Sequence, residues 1–351
     1  MDESFLRLGP EWVLRAVEAA GLRPTGRTTA LTCLENRVHD VELEDGAHVV
    51  VKFYRPGRWS RQAILEEHAF LAALREAEIP VCAPLSFADA GASRTLHEAE
   101  GIFYAVWPRT GGRSPAELSD AQCAVLGRLL ARIHNVGEDL HPRHRPRLGP
   151  DTFGREPLAF LEHGGFLPPA CARRYRSAAL EAASLYEAWS AGVPLHAIHG
   201  DCHFGNLLEG PEGFFFLDFD DFVVGPAVQD VWMLLPGRDA YAARQRDALI
   251  AAYAQFRAFD PRWLRLVEPL RALRFVRYAA WIARRWSDPA FPSAFPHFGT
   301  HEYWENETRD LEEQVERIAR GRGEEALPTG VREPAAQGDA ELTNKDFFWD
   351  L

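Results

Sequence analysis

Lysine is almost missing from this chain of 351 residues. Of its 39 basic residues only Lys52 and Lys345 are lysine, and the rest are arginine. Lys345 falls in a polar tail, but Lys52 falls inside the apolar run Val49-Val50-Val51-Lys52-Phe53-Tyr54. A lysine placed there points to a site that takes a compact, three-donor ammonium where a planar guanidinium will not fit. Positive charge is also in deficit. The formal net charge of −12 excludes nucleic acid as the main partner, because phosphate backbones need a basic face. It leaves room for a small nucleotide whose charge is offset by a divalent cation. Cysteine is sparse, at 33, 82, 123, 171 and 202, with an odd count, wide spacing and no CxxC. Neither a disulfide framework nor a structural zinc site is expected. No apolar run reaches the roughly 20 residues of a membrane span. The start Met1-Asp2-Glu3-Ser4 lacks the basic-then-apolar order of a secretory signal, so the expected location is the cytoplasm, with no membrane association.

What is present reads as strands first and helices afterwards. Trp12, Val13, Ala16, Val17 and Ala20 give helical spacing over 10–20. Two strands follow, 36–43 and 47–54, joined by the hairpin signal Glu44-Asp45-Gly46. A helix is predicted over 61–77, and a strand pair over 83–89 and 102–107. Pro108 to Pro115, with Thr110-Gly111-Gly112, reads as a linker. Beyond it the pattern is helical over 119–135, 170–190, the stripe Leu266 to Ala280, and 301–320. Short strands interrupt it at 196–198 and 214–217. After about 323 the composition of Gly, Pro, Glu and Ala predicts a flexible tail. The expected architecture is therefore α+β, with a β-rich lobe over 1–108, a helical lobe over 109–322 and the tail 323–351.

Chemistry concentrates in the loop His199-Gly200-Asp201-Cys202-His203-Phe204-Gly205-Asn206. Phosphoryl transfer requires a cation on the phosphates, a group that holds that cation, a carboxylate facing the attacking hydroxyl, and oxygen ligands for Mg²⁺. Asp201 is the candidate base, since an aspartate can orient a hydroxyl and accept its proton late in the reaction. Asn206 offers a neutral carbonyl oxygen to the metal. Asp218 follows a predicted hairpin that can fold it back beside Asn206. An Asp-x4-Asn alone is common in ordinary loops; joined to Asp218, to Lys52 upstream and to an acidic helix residue, it is far more specific. Lys52 is the phosphate cation, and a buried lysine needs a partner. Glu67 is preferred over Glu66 because it shares the face of Phe70, Leu71 and Leu74, which leaves Glu66 to solvent. His199 and His203 lie on a loop without a third ligand, so zinc is rejected. His199 is expected to brace the loop. Asp230, before the apolar Val231 to Leu235, is expected to cap that helix or brace a neighbouring loop.

These residues resemble the aminoglycoside-phosphotransferase and choline-kinase group of protein-kinase-like folds. Within it they are most similar to a bacterial branch of serine/threonine protein kinases. The likeness is carried by Leu34-Glu35-Asn36-Arg37-Val38, by Val50 to Trp59, by Ile64-Leu65-Glu66-Glu67-His68, by the 199–206 loop, and by Gly225 to Leu235. It continues through Glu268-Pro269-Leu270-Arg271-Ala272 and Arg284 to Pro292, and spans about 10–310. The resemblance implies a bilobal, monomeric, cytoplasmic enzyme that uses ATP and Mg²⁺, phosphorylates protein Ser/Thr hydroxyls and itself, and protects the cell under envelope and oxidative stress. By the same likeness Asp201 is the proton acceptor, Asn206 and Asp218 bind Mg²⁺, and Lys52 with Glu67 positions the phosphates. The group's usual GxGxxG is replaced by Thr32-Cys33-Leu34-Glu35-Asn36. Cys33 stands about where a serine hydroxyl would touch ATP, and its thiol is a poorer donor.

Two other functions fit part of the pattern. A small-molecule kinase for homoserine, choline or an aminoglycoside would use the same loop. A choline site would need an aromatic cage, for which Trp281, Trp286, Tyr303 and Trp304 are candidates. An inactive nucleotide-binding scaffold is disfavoured by the complete set Lys52, Glu67, Asp201, Asn206 and Asp218. Between Asp218 and Pro226 there is no Ser, Thr or Tyr, so activation by phosphorylation of this segment is not expected.

Overall fold

Period-2 and period-3.6 patterns along the chain resolve into eleven α-helices and nine strands among the described residues, which are 3–6, 8–87 and 95–321 of a computed structural model. Helices α1 (Glu3–Leu6) and α2 (Pro10–Ala19) precede β1 (Pro24–Leu31), β2 (Arg37–Leu43) and β3 (His48–Phe53). Then come α3 (Arg61–Glu76), β4 (His97–Ala99) and β5 (Ile102–Pro108). The helical part starts with α4 (Asp120–Asp139), α5 (Glu156–His163) and α6 (Pro169–Ser190). Four short strands follow, β6 (His196–Ile198), β7 (Leu207–Gly210), β8 (Gly213–Phe216) and β9 (Val223–Gly225). Helices α7 (Val228–Leu234), α8 (Ala240–Tyr253), α9 (Val267–Arg284), α10 (Ala290–Ala294) and α11 (His301–Gly321) complete the described chain. The expected flexible tail over 323–351 lies outside the described residues.

The chain forms two compact units. The first holds the described residues up to Ala116 and takes back Arg132–Arg145 and Asn206–Phe222. The second holds Glu117–Ala131, Pro146–Gly205 and the described residues from Val223 on. A single expected boundary near residue 108 thus has a discontinuous counterpart.

The first unit is built on an antiparallel sheet of order β1-β2-β3-β5-β4. The β2–β3 turn is the one that Glu44-Asp45-Gly46 predicts. Gly46 takes φ +82°, which glycine adopts without steric cost. Alternation along β3 and β5 sorts side chains to two faces. Val49, Val51, Phe53, Ile102, Tyr104 and Val106 join Val13 and Val17 of α2 in one core. Tyr54, Ala105 and Trp107 face the other way and pack with Ile64 of α3. Strand β1 was not expected; its Thr-Gly-Arg-Thr-Thr stretch has little apolar alternation because it is a mostly exposed edge strand paired on one side only. The strand expected at 83–89 is not one over its described residues. Leu85 makes a single backbone bond to the carbonyl of Val106, and β4 supplies the pairing instead.

In the second unit α5, α6, α9 and α11 pack on one another. Trp304 is fully buried and meets Tyr175 edge-on at 5.4 Å between centroids. The antiparallel pair β6–β9 carries the chain into the 199–205 loop.

Candidate active site

Lys52 lies on the α3 side of the sheet because it alternates with Val51 and Phe53. It pairs across the strands with Val38 and Ala105, and its ammonium lies 5.0 Å from the Tyr54 ring centre and 5.5 Å from that of Trp107. Three carboxylates surround it: Asp218 at 3.0 Å, Asp220 at 3.5 Å and Glu67 at 3.6 Å. Burial alone would lower its pKa, but these three anions outweigh burial and hold the ammonium well above its usual range. Glu67 is 1% exposed on the inner face of α3, as its spacing predicts. Burial pushes its carboxyl up to about 7 against the pull of Lys52. Tyr54 donates to Glu67 at 3.4 Å and contacts His68 at 2.9 Å. Burial holds His68 neutral, with a pKa of about 3.

Glu66 is not left to solvent as its position suggested. It is half-buried and accepts the backbone N–H groups of Arg143 and His144 at 2.7 and 3.0 Å. Helix α3 is thereby tied at several points. Ser60 caps its first turn through the N–H of Ala63, and Arg132 donates to the carbonyls of Ala77 and Glu78 past its end.

Asn206 and Asp218 come together through the β7–β8 hairpin, in which Leu207 pairs with Phe216. At its base the N–H of Leu217 donates to the carbonyl of Asn206 at 2.9 Å. The next residue is Asp218, at φ +52°, a left-handed conformation tolerated by aspartate better than by most side chains. Its side chain is 47% exposed, whereas that of Asp220 is 3% exposed. Of the two aspartates, only Asp218 has an open carboxylate. An exposed carboxylate and an amide residue at the base of one hairpin supply the kinds of oxygen donor that Mg²⁺, which keeps several waters, takes.

Sequence reasoning passed over Asp220. Its Oδ2 accepts from Asn36 at 2.9 Å and from Arg58 at 2.6 Å. Lys52, Arg58 and the Asn36 amide overcome the upward push of burial and keep its carboxyl well below the usual range. The Asp218-x-Asp220 spacing was the available signal. Cys33 lies in the adjoining loop, half-exposed, and its sulfur accepts the Asn36 N–H at 3.4 Å. Burial, and then the Asp218 charge, push its thiol upward, so it stays protonated.

The second unit holds Asp201. Its loop is braced from below by Asp230, which is fully buried and accepts the N–H groups of His199 and Gly200 at 2.8 Å each. Gln229 donates to the Gly200 carbonyl at 3.1 Å and is itself held by the Trp232 indole at 2.9 Å. Gly200 takes φ +84°, which a side chain would strain. His199 accepts the Asp201 N–H at 3.3 Å, and His203 accepts that of Gly205 at 3.0 Å. Asp230 is therefore a loop brace, one of its two expected roles. Asp201 itself pairs with Arg274 of α9 at 2.9 Å and lies 3.4 Å from His203. Burial pushes its carboxyl upward, but Arg274 and then His203 outweigh that and hold it ionised, well below the usual range. Arg274 escaped notice because it sits inside an apolar helical stripe, where an arginine reads as surface.

The four aromatics considered for a cage do not form one. Trp281 stacks with Tyr278 and meets Phe291 edge-on, and Arg285 covers its ring. Trp286, Tyr303 and Trp304 gather around Phe298 instead. Among the described residues no cluster of three or more His, Cys, Asp or Glu could hold a metal ion.

Comparison with known proteins shows the family and the fold. Residues 33–267 match the phosphotransferase enzyme family, APH. Stress response kinase A of Escherichia coli (strain K12) is 39% identical over 315 residues, which cover 89% of this chain and 94% of that protein. Serine/threonine protein kinase RdoA of Salmonella typhimurium is 38% identical over 319 residues, with the same coverage of 89% and 94%. Among solved structures, amicoumacin kinase hAmiN in complex with AMP-PNP, Ca²⁺ and Ami superposes with a TM-score of 0.69 at 19% identity, over 92% of this chain and 96% of that one. The microcompartment-associated aminopropanol kinase gives 0.63 at 17% identity, over 89% and 98%. At these identities the structural likeness is one of fold.

Proposed function

The chain belongs to the phosphotransferase enzyme family, and from that premise we propose that it is an ATP- and Mg²⁺-dependent serine/threonine protein kinase. The observation that carries this reading is the lysine held among Glu67, Asp218 and Asp220, together with an ionised aspartate on a braced loop. Lys52 places its charge on the nucleotide phosphates, with Glu67 and Asp220 fixing its direction. Asn206 and Asp218 hold the cation. Mg²⁺, when bound, supplies neutralisation of the phosphate charge. Asp201 accepts a hydrogen bond from the acceptor hydroxyl and orients its oxygen toward the γ-phosphorus. As the new P–O bond forms, the bond to the bridging oxygen of the β-phosphate breaks, ADP departs, and the hydroxyl proton passes to Asp201.

A protein acceptor is supported by the name of one relative, serine/threonine protein kinase RdoA, which matches along 94% of its own length. Trp281 packs apart from the other three aromatics, which are taken up by Phe298, and this argues against a quaternary-ammonium substrate. The name of the first relative supports a role in a stress response; that the enzyme phosphorylates itself and works as a monomer in the cytoplasm is part of the same proposal. No described helix is long and apolar enough to cross a membrane. Because the segment after Asp218 holds no hydroxyl residue before Pro226, the site works without phosphorylation there. Labelled ATP supplied with casein, or with the protein alone, tests the reading. Asp201→Ala should abolish transfer and leave Mg·ATP binding nearly intact. Transfer only to small alcohols, or an Ala variant with wild-type turnover, would refute it.

A further inference from the structure

Nucleotide-binding loops in phosphotransferases commonly rely on glycine so that backbone N–H groups can approach phosphates. Here the segment Thr32-Cys33-Leu34-Glu35-Asn36 has no glycine, so its shape has to come from side chains. Arg55 supplies part of it. Its guanidinium donates to the carbonyls of Leu34 and Glu35, both at 2.9 Å, and its own N–H donates to the Asn36 side-chain oxygen at 3.1 Å. The Glu35 carboxylate lies 3.2 Å from Arg55 and 3.6 Å from Arg58. Arg58 also meets Asp220 and Asp221, both at 2.6 Å. The Asn36 amide closes the ring by donating to Asp220 at 2.9 Å. One carboxylate therefore touches the loop through Asn36, the arginine frame through Arg58, and Lys52 through its other oxygen at 3.5 Å.

We propose that Asp220 is a positioning residue that sets Lys52 and the 32–36 loop as one rigid seat for the nucleotide, replacing the flexibility of a glycine-rich loop with a fixed side-chain frame. This inference rests on the kinase reading above and names how that site holds its nucleotide. It also separates the two aspartates of Asp218-x-Asp220. Asp218, half exposed, is left to the metal. Asp220, 3% exposed with Oδ2 already accepting two donors, holds the lysine when Asp218 turns to the cation. A metal on the other oxygen, Oδ1, would have to displace the Lys52 ammonium that faces it at 3.5 Å.

The test compares wild type, Arg55→Lys and Asp220→Asn. Binding of AMP-PNP is measured by calorimetry without Mg²⁺, alongside KM for ATP, kcat, the Mg²⁺ concentration for half-maximal rate, and Tm. Arg55→Lys keeps the charge and removes the fork on the two loop carbonyls without touching Lys52 or its three carboxylates. It should weaken AMP-PNP binding about tenfold, the loss expected for charge-assisted hydrogen bonds, and its effect should fall on KM rather than kcat. Asp220→Asn should weaken binding at least as much and also lower kcat, with an unchanged Mg²⁺ requirement. If Asp220→Asn fails to fold, Arg58→Lys, which loosens the guanidinium contact to the same carboxylate at 2.6 Å, takes its place with the same expected results. Both variants binding AMP-PNP like wild type while Tm falls would make the frame merely structural and overturn the proposal. A raised Mg²⁺ requirement in Asp220→Asn with unchanged metal-free binding would overturn it in favour of a metal ligand. Wild type failing to bind AMP-PNP at all would overturn the kinase reading along with it.

Discussion

Replacing Asp230 with alanine removes the support of the catalytic loop without touching any group proposed to meet substrate. Its two carboxylate oxygens accept the N–H groups of His199 and Gly200 at 2.8 Å each, and the side chain is fully buried. Hydrogen bonds to a charged group contribute about 1.5–3 kcal/mol each. Their loss leaves two backbone donors buried, so the variant should lose about 3–5 kcal/mol, a large share of the roughly 5–15 kcal/mol that holds a typical protein folded. Thermal unfolding should show this as a drop of roughly 5–10 °C. Gly200, at φ +84°, has no side chain of its own to fix it, and the remaining Gln229 contact holds only its carbonyl. Asp201 would then drift relative to the acceptor oxygen. Misplacement by about 1 Å costs on the order of a hundredfold in rate, so kcat should fall by that factor while KM for ATP stays close to wild type. Asp230→Asn, which keeps one acceptor oxygen, should fall between the two. An alanine variant with Tm within about 1 °C and kcat within about twofold of wild type would refute the reasoning.

Three further perturbations probe the charge cluster and the base. Lys52→Arg should lower kcat by about a hundredfold or more, because a planar fork cannot occupy the space between carboxylates at 3.0, 3.5 and 3.6 Å; steady-state rates within a few-fold of wild type would count against a tight ammonium site. Glu67 has a folded-state carboxyl near 7, raised by burial from an ordinary 4.5. A raised carboxyl pKa stabilises the fold below about 4.5, and that contribution is lost as pH rises toward 7. The wild type should therefore lose about 3 kcal/mol over this window relative to Glu67→Gln, measured by denaturant unfolding at each pH; parallel pH curves for the two proteins would contradict the assignment. Arg274→Ala removes the first of the partners that hold Asp201 ionised, so the acid limb of the kcat/KM profile should move to higher pH. An acid limb that stays in place would show that Arg274 does not govern the base.

The primary structure by itself determines the order of elements that carry the site. Lys52 is identifiable because one lysine sits in a valine-rich strand, and Glu67 because helical spacing puts it on the face of Phe70 and Leu74. Asp201, Asn206 and Asp218 are identifiable because a short loop and a hairpin leave them at fixed offsets in the chain. These are local relations, and periodicity of 2 or 3.6 expresses them directly. Edge strand β1 and the lone bond at Leu85 were not legible, since neither segment has an alternating face to bury.

Only the tertiary structure shows that Lys52 is closer to Asp218 and Asp220 than to Glu67. It alone returns residues 206–222 to the unit that contains β3, and it alone sets Arg274 against Asp201 across 73 residues of chain. The frame around Asp220 joins Asn36, Arg58 and Lys52 from sites more than 160 residues away in sequence. Charge pairs of this kind leave no period in a sequence. An arginine or aspartate reads as solvated surface until burial removes water and makes its partner, rather than its neighbours in the chain, decide its energy.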